Sequence, residues 1–297
     1  MPDIMIIGTG PAGLQAAIHA ARAKAATVMI GKLRNSAMYG TKVENYFGIK
    51  GEADGTGMLS AGLAQAMSSG AEHTDENVIS MEYDGGSFKA TTENGNTVTA
   101  KAVILAPGIS RMKLNIPGEK ELFGKGVSYC AACDCNFYKG KRIAVIGDES
   151  EAAASAELMT SYASKVFWVT KDAKASDMMI RKAKDAGAVM IDGKVSGITG
   201  KDRVTGLTFS DAPAIELDGV FIELGARSSS DLAMDIGIMP NTDGTIKVNE
   251  RCETSVKGVY ACGDVTGRPW QIAKAVGQGA TAGINAAAYV KGEKNVR

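Results

Sequence analysis

Short apolar runs alternate with glycine-rich turns and alanine-rich stretches along this chain, a pattern that predicts buried strands alternating with helices. The amino-terminal stretch DIMIIGTGPAGLQAAIHAARAKAATVMIG reads as a strand entered by Ile4, a glycine turn, a helix and a second strand. Gly8, Gly10 and Gly13 complete Gly-x-Gly-x-x-Gly, and Pro11 suits the first turn of a helix, where its missing N–H has no partner to lose. Further on, FKATTENGNTVTAKAVILAPG reads as a hairpin turning at Asn94-Gly95 and feeding a buried strand, Ala102 to Ala106. KRIAVIGDESEAAASAELMTSYASKVFWVT repeats the strand, turn, helix, strand order of the amino terminus, with its first strand over Lys141 to Ile146. GVYACGDVTGRPWQIAKAVGQGATAGINAAAYV closes with a strand, a Gly-Asp loop and a long helix of small residues.

Two βαβ units and a late strand predict an α/β protein with two Rossmann-like, three-layer (ββα) nucleotide-binding domains. The last segment has the character of a closing strand and helix for the first domain, so the second is read as inserted. Residues 1–111 and 242–297 form the first domain in this reading and residues 112–241 the insert. A length of 297 residues accommodates both. Apolar residues at 45% and charged residues at 22% match soluble globular proteins. The formal net charge of zero gives no bulk attraction to nucleic acid or membranes, so neither is expected as a partner. No charged leader precedes an apolar core, and no apolar run approaches the length of about 18 residues that signals a membrane span. Together with the sparse cysteines, this predicts a cytoplasmic location. Charge is nevertheless uneven. From Arg22 to Lys50 six basic residues stand against Glu44 alone, and from Arg111 to Arg142 seven stand against three acids.

YCAACDCNFY carries the most chemistry. Cys130 and Cys133 have the spacing of a redox dithiol, which exchanges through a thiolate. A zinc site needs two more ligands at suitable spacing, and neither a second Cys-x-x-Cys nor a histidine pair supplies them, so no metal is expected. Asp134 reads equally as an acid–base partner for a thiolate or as a turn aspartate. In the second glycine turn, IAVIGDESEAAA, Glu149 stands where the second glycine belongs, flanked by Asp148 and Glu151. A side chain at 149 obstructs the close backbone approach that pyrophosphate requires, and its charge repels phosphate.

GTGPAG, VENYFG (43–48), CAACD, ACGDVTG and WQIAKAVGQG resemble the low-molecular-weight thioredoxin reductases over nearly the whole chain. The resemblance implies FAD, with its pyrophosphate on Gly8, Gly10, Pro11, Ala12 and Gly13. It implies Thr41 and Asn45 near the flavin ring, and Val78 and Ala106 among the FAD-binding positions. Gly263 and Asp264 fall at the ribityl and phosphate region, with Gln271 and Ile272 on the pyrimidine side. It also implies a Cys130–Cys133 disulfide with Cys133 facing the flavin, Asp134 as proton donor, thioredoxin as substrate and a homodimer.

Departures from the family pattern cluster on one ligand. The second fingerprint is Gly147-Asp148-Glu149-Ser150-Glu151-Ala152, VTKDAKAS replaces a His-Arg-Arg cluster, and Gly225-Ala226-Arg227-Ser228 replaces Gly-x-x-Pro. No NADPH site is therefore expected. The first domain lacks the usual ribose acid, since Gly31-Lys32 follows TVMI; the Gly31 backbone and Lys32 are expected to hold FAD there. The pattern is most similar to the ferredoxin-dependent flavin thioredoxin reductases, which implies electrons from reduced ferredoxin, an acidic protein suited to the basic clusters. A deazaflavin-dependent or NADPH-dependent thioredoxin reductase and a non-enzymatic flavin redox sensor are the alternatives. Cys135 reads as a third thiol beside the dithiol or a tolerated small residue, Cys252 and Cys262 as core, and Trp270 as packing or as a shield over the flavin.

Overall fold

The computed structural model describes residues 1–108, 113–224, 229–241 and 244–293, with the side chains of Cys133, Ser229 and Ser230 outside that description. The chain divides into two units, Met1–Ile109 with Ser228–Arg297, and Ser110–Arg227.

In the first unit a wholly parallel sheet runs Val259–Ala261, Ala102–Leu105, Ile4–Ile7, Thr27–Ile30, Glu72–Thr74. Its apolar runs are continuous because both faces are covered. Ile4, Ile6, Met29 and Ile104 enter one core with residues of the Pro11–Arg22 and Ile272–Val290 helices. Met5, Ile7, Val28 and Leu105 point the other way by the pleat and enter a second core. That second core is closed by an antiparallel sheet of Val78–Tyr83, Phe88–Thr92 and Thr97–Ala100. Asn94-Gly95 lies in the tight connection of the last two strands, as the hairpin reading predicts; Gly95 has φ +82° and its N–H donates to the Thr92 carbonyl at 2.9 Å. Small residues in the long carboxy-terminal helix have a packing reason: a Cβ on Gly279 would strike the backbone of Ala12.

The second boundary of the insert differs from the expected 241. The helix Ser229–Asp235 already belongs to the first unit. Leu232, Ala233, Ile236 and Ile238 bury themselves with Met81 and Phe88, and the Asp235 carboxylate accepts the Met81 N–H at 3.0 Å. A seven-residue helix carries too short an apolar pattern to announce which core it joins. The expected boundary at 111–112 falls outside the described residues.

The second unit repeats the parallel design as Val127–Ser128, Gly219–Ile222, Arg142–Ile146, Lys165–Thr170, Val189–Asp192. Here too a three-stranded antiparallel sheet, Val195–Gly200, Val204–Phe209 and Ile215–Glu216, shares a core with the parallel one. Both units are thus Rossmann-like α/β assemblies in which ligands are expected at the carboxyl ends of the parallel strands. Among the described residues no helix is long and apolar enough to cross a membrane.

Candidate active site

The strand Ile4–Ile7 ends at Gly8, whose φ of +106° and closeness to the Ala106 carbonyl admit no side chain. Gly10, in extended conformation, is the N-cap of the Pro11–Arg22 helix and offers no side-chain cap. The first-turn N–H groups of such a helix, those of Ala12 and Gly13 included, have no intrahelical acceptor and suit a phosphate. Three buried oxygens in this unit, Thr9 Oγ1, Glu76 Oε2 and Asp264 Oδ1, lack a hydrogen-bond partner among the described residues. Burial pushes the Asp264 carboxyl above its ordinary value, and the Lys274 ammonium opposes that rise. Lys274 Nζ donates to the Gly263 carbonyl and Thr266 Oγ1, each at 3.0 Å, and to the Gly267 carbonyl. Gln278 Oε1 accepts from the Gly263 N–H at 3.0 Å and from Thr266 Oγ1 at 2.8 Å, so the loop carrying Asp264 is held from both sides.

Asn45 and Gln271, both expected at the flavin ring, meet through an Asn45 Nδ2–Gln271 Oε1 hydrogen bond of 3.0 Å. Thr41 Oγ1 donates to the Met38 carbonyl at 2.8 Å. Ile272 opens the last helix and packs, partly buried, on the core, whereas Val78 is fully within the second core. Trp270 is half exposed, with the Arg268 guanidinium 4.1 Å from its ring centroid. The cradle at Gly8 and Gly10 and the orphaned oxygens of Thr9 and Asp264 fit the phosphates and hydroxyls of FAD.

At the expected adenosine side the groups are already engaged by protein. Gly31 donates its N–H to the Thr74 carbonyl at 3.1 Å, and its own carbonyl meets His73 Nε2 at 2.8 Å. Lys32 Nζ lies 2.5 Å from Glu93 Oε1, the side chains being 12% and 2% exposed. Glu93 also accepts the Asn77 N–H at 3.0 Å, and Asn77 Oδ1 accepts from Asn35 Nδ2 at 2.8 Å.

In the second unit Cys130 is disulfide-bonded. Its N–H donates to Ser128 Oγ at 3.1 Å, and the next amide, Ala131 N–H, donates to Glu223 Oε1 at 2.8 Å. Cys133 belongs by its backbone to the Ala131–Asp134 helix, and its side chain lies outside the described residues. Asp134 ends that helix without making a side-chain cap; burial first, and the Asp134 charge second, push the Tyr138 hydroxyl up. Cys135 is a buried free thiol donating to the Ala132 carbonyl at 3.5 Å, and its hydrogen bond to Tyr162 raises that phenol.

The second glycine turn is filled by its own side chains. Glu149 is the N-cap of Ser150–Thr160, extended and without a side-chain capping bond. Asp148 Oδ1 accepts from Thr170 Oγ1 at 2.6 Å, Lys171 N at 3.0 Å and Asp172 N at 3.4 Å, which ties the turn to the loop after the next strand. The Lys171 ammonium is matched by Asp192 at 3.2 Å and Asp211 at 3.0 Å, which raises its pKa. Gly225 to Ser228 lies outside the described residues.

Cys252 and Cys262 are free, buried thiols, and burial pushes Cys252 up to about 11 from an ordinary 9.0. Between those values the folded protein keeps a proton that the unfolded chain releases, so stability falls as pH rises. Stability measured by urea unfolding is expected to fall less in Cys252→Ala than in the wild type between about pH 9 and about pH 11; equal losses would contradict this.

The family model described as pyridine nucleotide-disulphide oxidoreductase matches residues 2–279, reaching through both units. The chain belongs to that family. Family relatives include the thioredoxin reductase of Bacillus subtilis (strain 168), 35% identical over 97% of this chain and 95% of the relative. The thioredoxin reductase of Aquifex aeolicus (strain VF5) is 34% identical over 99% of this chain and 95% of the relative. Among solved structures, the atypical thioredoxin reductase TRi from Desulfovibrio vulgaris Hildenborough superposes with a TM-score of 0.80 at 34% identity, covering 100% of both chains. A ferredoxin-flavin thioredoxin reductase from Clostridium acetobutylicum gives 0.66 at 31% identity, over 98% of this chain and 99% of that one. Against this family frame, sequence reasoning missed Thr9, Lys274, Gln278, Glu93 and Glu223. Only Glu223 left a readable signal, an acid ending the apolar run GVFI.

Proposed function

We propose that this protein is an FAD-dependent thioredoxin reductase that receives electrons from reduced ferredoxin and passes them through a Cys130–Cys133 disulfide to thioredoxin. The observation that carries the choice of donor is the filled second turn. Asp148 occupies the donors of the Thr170–Asp172 loop, and Glu149 stands at the helix start where a pyrophosphate needs a glycine. The two basic stretches, and a solved relative named as ferredoxin-flavin dependent, support an acidic protein donor.

Gly8, Gly10, Pro11, Ala12 and Gly13 would hold the FAD pyrophosphate, with Asp264 and Thr9 Oγ1 on its hydroxyls and Asn45 with Gln271 at the ring edge. When bound, FAD supplies the change between one- and two-electron chemistry. The Cys130 and Cys133 dithiol attacks the thioredoxin disulfide as a thiolate, forms a mixed disulfide and closes its own disulfide as two thioredoxin thiols leave. Asp134 holds the proton exchanged with the dithiol. In this reading the first unit binds FAD, the second is a degenerate pyridine-nucleotide domain kept to carry the disulfide, and the enzyme works as a cytoplasmic homodimer.

Anaerobic titration tests the donor. Reduced ferredoxin is expected to bleach the visible flavin band within seconds while NADPH leaves it intact. Equal bleaching by NADPH would overturn the reading in favour of the pyridine-nucleotide donor that the family description names.

A further inference from the structure

The acids around the second glycine turn stand on the same sheet edge as the disulfide. Val127–Ser128, Gly219–Ile222 and Arg142–Ile146 are adjacent parallel strands, so their carboxyl ends bring Ser128, Glu223 and Gly147 together. Glu223 N–H donates to the Ile146 carbonyl at 2.8 Å, and a Cβ on Gly147 would overlap the Glu223 carbonyl oxygen. From this edge the Glu223 carboxylate, in a residue only 4% exposed, accepts the N–H of Ala131, the residue after Cys130. Accepting a backbone N–H favours the ionised carboxylate, against the burial that favours the neutral acid. Since the Cys130 N–H goes to Ser128 Oγ, the two amides that begin the redox turn both have acceptors other than a thiolate.

We infer that Glu223 is a positioning residue that keeps the Cys130 dithiol a strong reductant, by occupying the Ala131 amide and by setting a buried negative charge one residue from any thiolate at Cys130. A cysteine thiolate stabilised by nearby amides or cations stabilises the reduced pair and makes its disulfide a strong oxidant. A dithiol that must reduce another protein needs the reverse. The charged groups on the neighbouring elements act in the same direction: Asp134 on the turn itself, Glu149 and the buried Glu151 at the start of the helix packed against it. Tyr129, just before Cys130, gives its hydroxyl to Glu119 at 2.7 Å.

The inference rests on the disulfide-reductase reading, yet its test involves neither ferredoxin nor thioredoxin, so the two can fail separately. The holoprotein is equilibrated anaerobically with glutathione, where protein dithiol plus glutathione disulfide gives protein disulfide plus two reduced glutathione molecules. Glu223→Gln keeps an oxygen for the Ala131 N–H and removes the charge. It is expected to shift this equilibrium about tenfold toward the dithiol, or about 30 mV. Iodoacetamide should label its reduced Cys130 about tenfold faster at neutral pH, read by mass spectrometry of the Cys130 peptide. A merely structural Glu223 would lower the melting temperature and leave both values unchanged, and that result overturns the inference. Should the variant not fold, the wild type decides: reduced Cys130 is expected to react more slowly than glutathione, and equal or faster reaction overturns it.

Discussion

Gly8→Ala is expected to yield a protein that purifies without flavin. The new Cβ would fall on the Ala106 carbonyl oxygen and within 2.8 Å of Pro107 Cα, both backbone groups that cannot rotate aside. The φ of +106° adds strain that any L-residue with a Cβ would feel. Overpacking of this kind costs about 1–3 kcal/mol, and the strained dihedral about 1–3 kcal/mol more. Relief requires the turn to leave the adjacent strand, which moves the first-turn N–H groups of the Pro11–Arg22 helix away from any phosphate they hold. Flavin absorbance per chain is the measurement, with the melting temperature beside it. A full flavin complement in Gly8→Ala would show that the turn is not the cofactor cradle.

Glu93→Ala is expected to destabilise the protein by about 3 kcal/mol or more, as removal of one partner from a buried ion pair does. Lys32 Nζ would lose its partner in a side chain only 12% exposed, and the Asn77 N–H would lose its acceptor. Urea unfolding measures the loss, and a cost under about 1 kcal/mol would mean that water reaches Lys32 freely. The reciprocal experiment separates charge from packing. In a Lys32→Met, Glu93→Leu protein the buried pair is removed as a whole and neither member is left behind, so at least half of the lost stability is expected to return.

Lys32 also marks where sequence reasoning reached its limit. The absence of a ribose acid after TVMI was legible, because the fingerprint fixes the spacing at which to look. That the lysine there would be matched by Glu93 was not legible, since the two meet only when the hairpin packs beneath the parallel sheet. Asn45 and Gln271 are a similar pair, each nominated singly by family resemblance and joined by a bond across 226 positions of sequence. Asp148 shows a different shortfall: read only as an acid flanking Glu149, it proves to be the acceptor that holds the Thr170–Asp172 loop.

The sequence alone determined the strand and helix order, the two glycine turns, the Asn94-Gly95 hairpin and the Cys-x-x-Cys spacing. Each of these is a local constraint, set by side-chain period, by a required positive φ or by reach along a few residues. Tertiary structure decided which core claims the Ser229–Asp235 helix, which acid answers Lys32, and that Glu223 stands against the amide after Cys130. Those outcomes depend on which strands lie side by side. Strand order is a property of the whole packed sheet, and no short window of residues contains it.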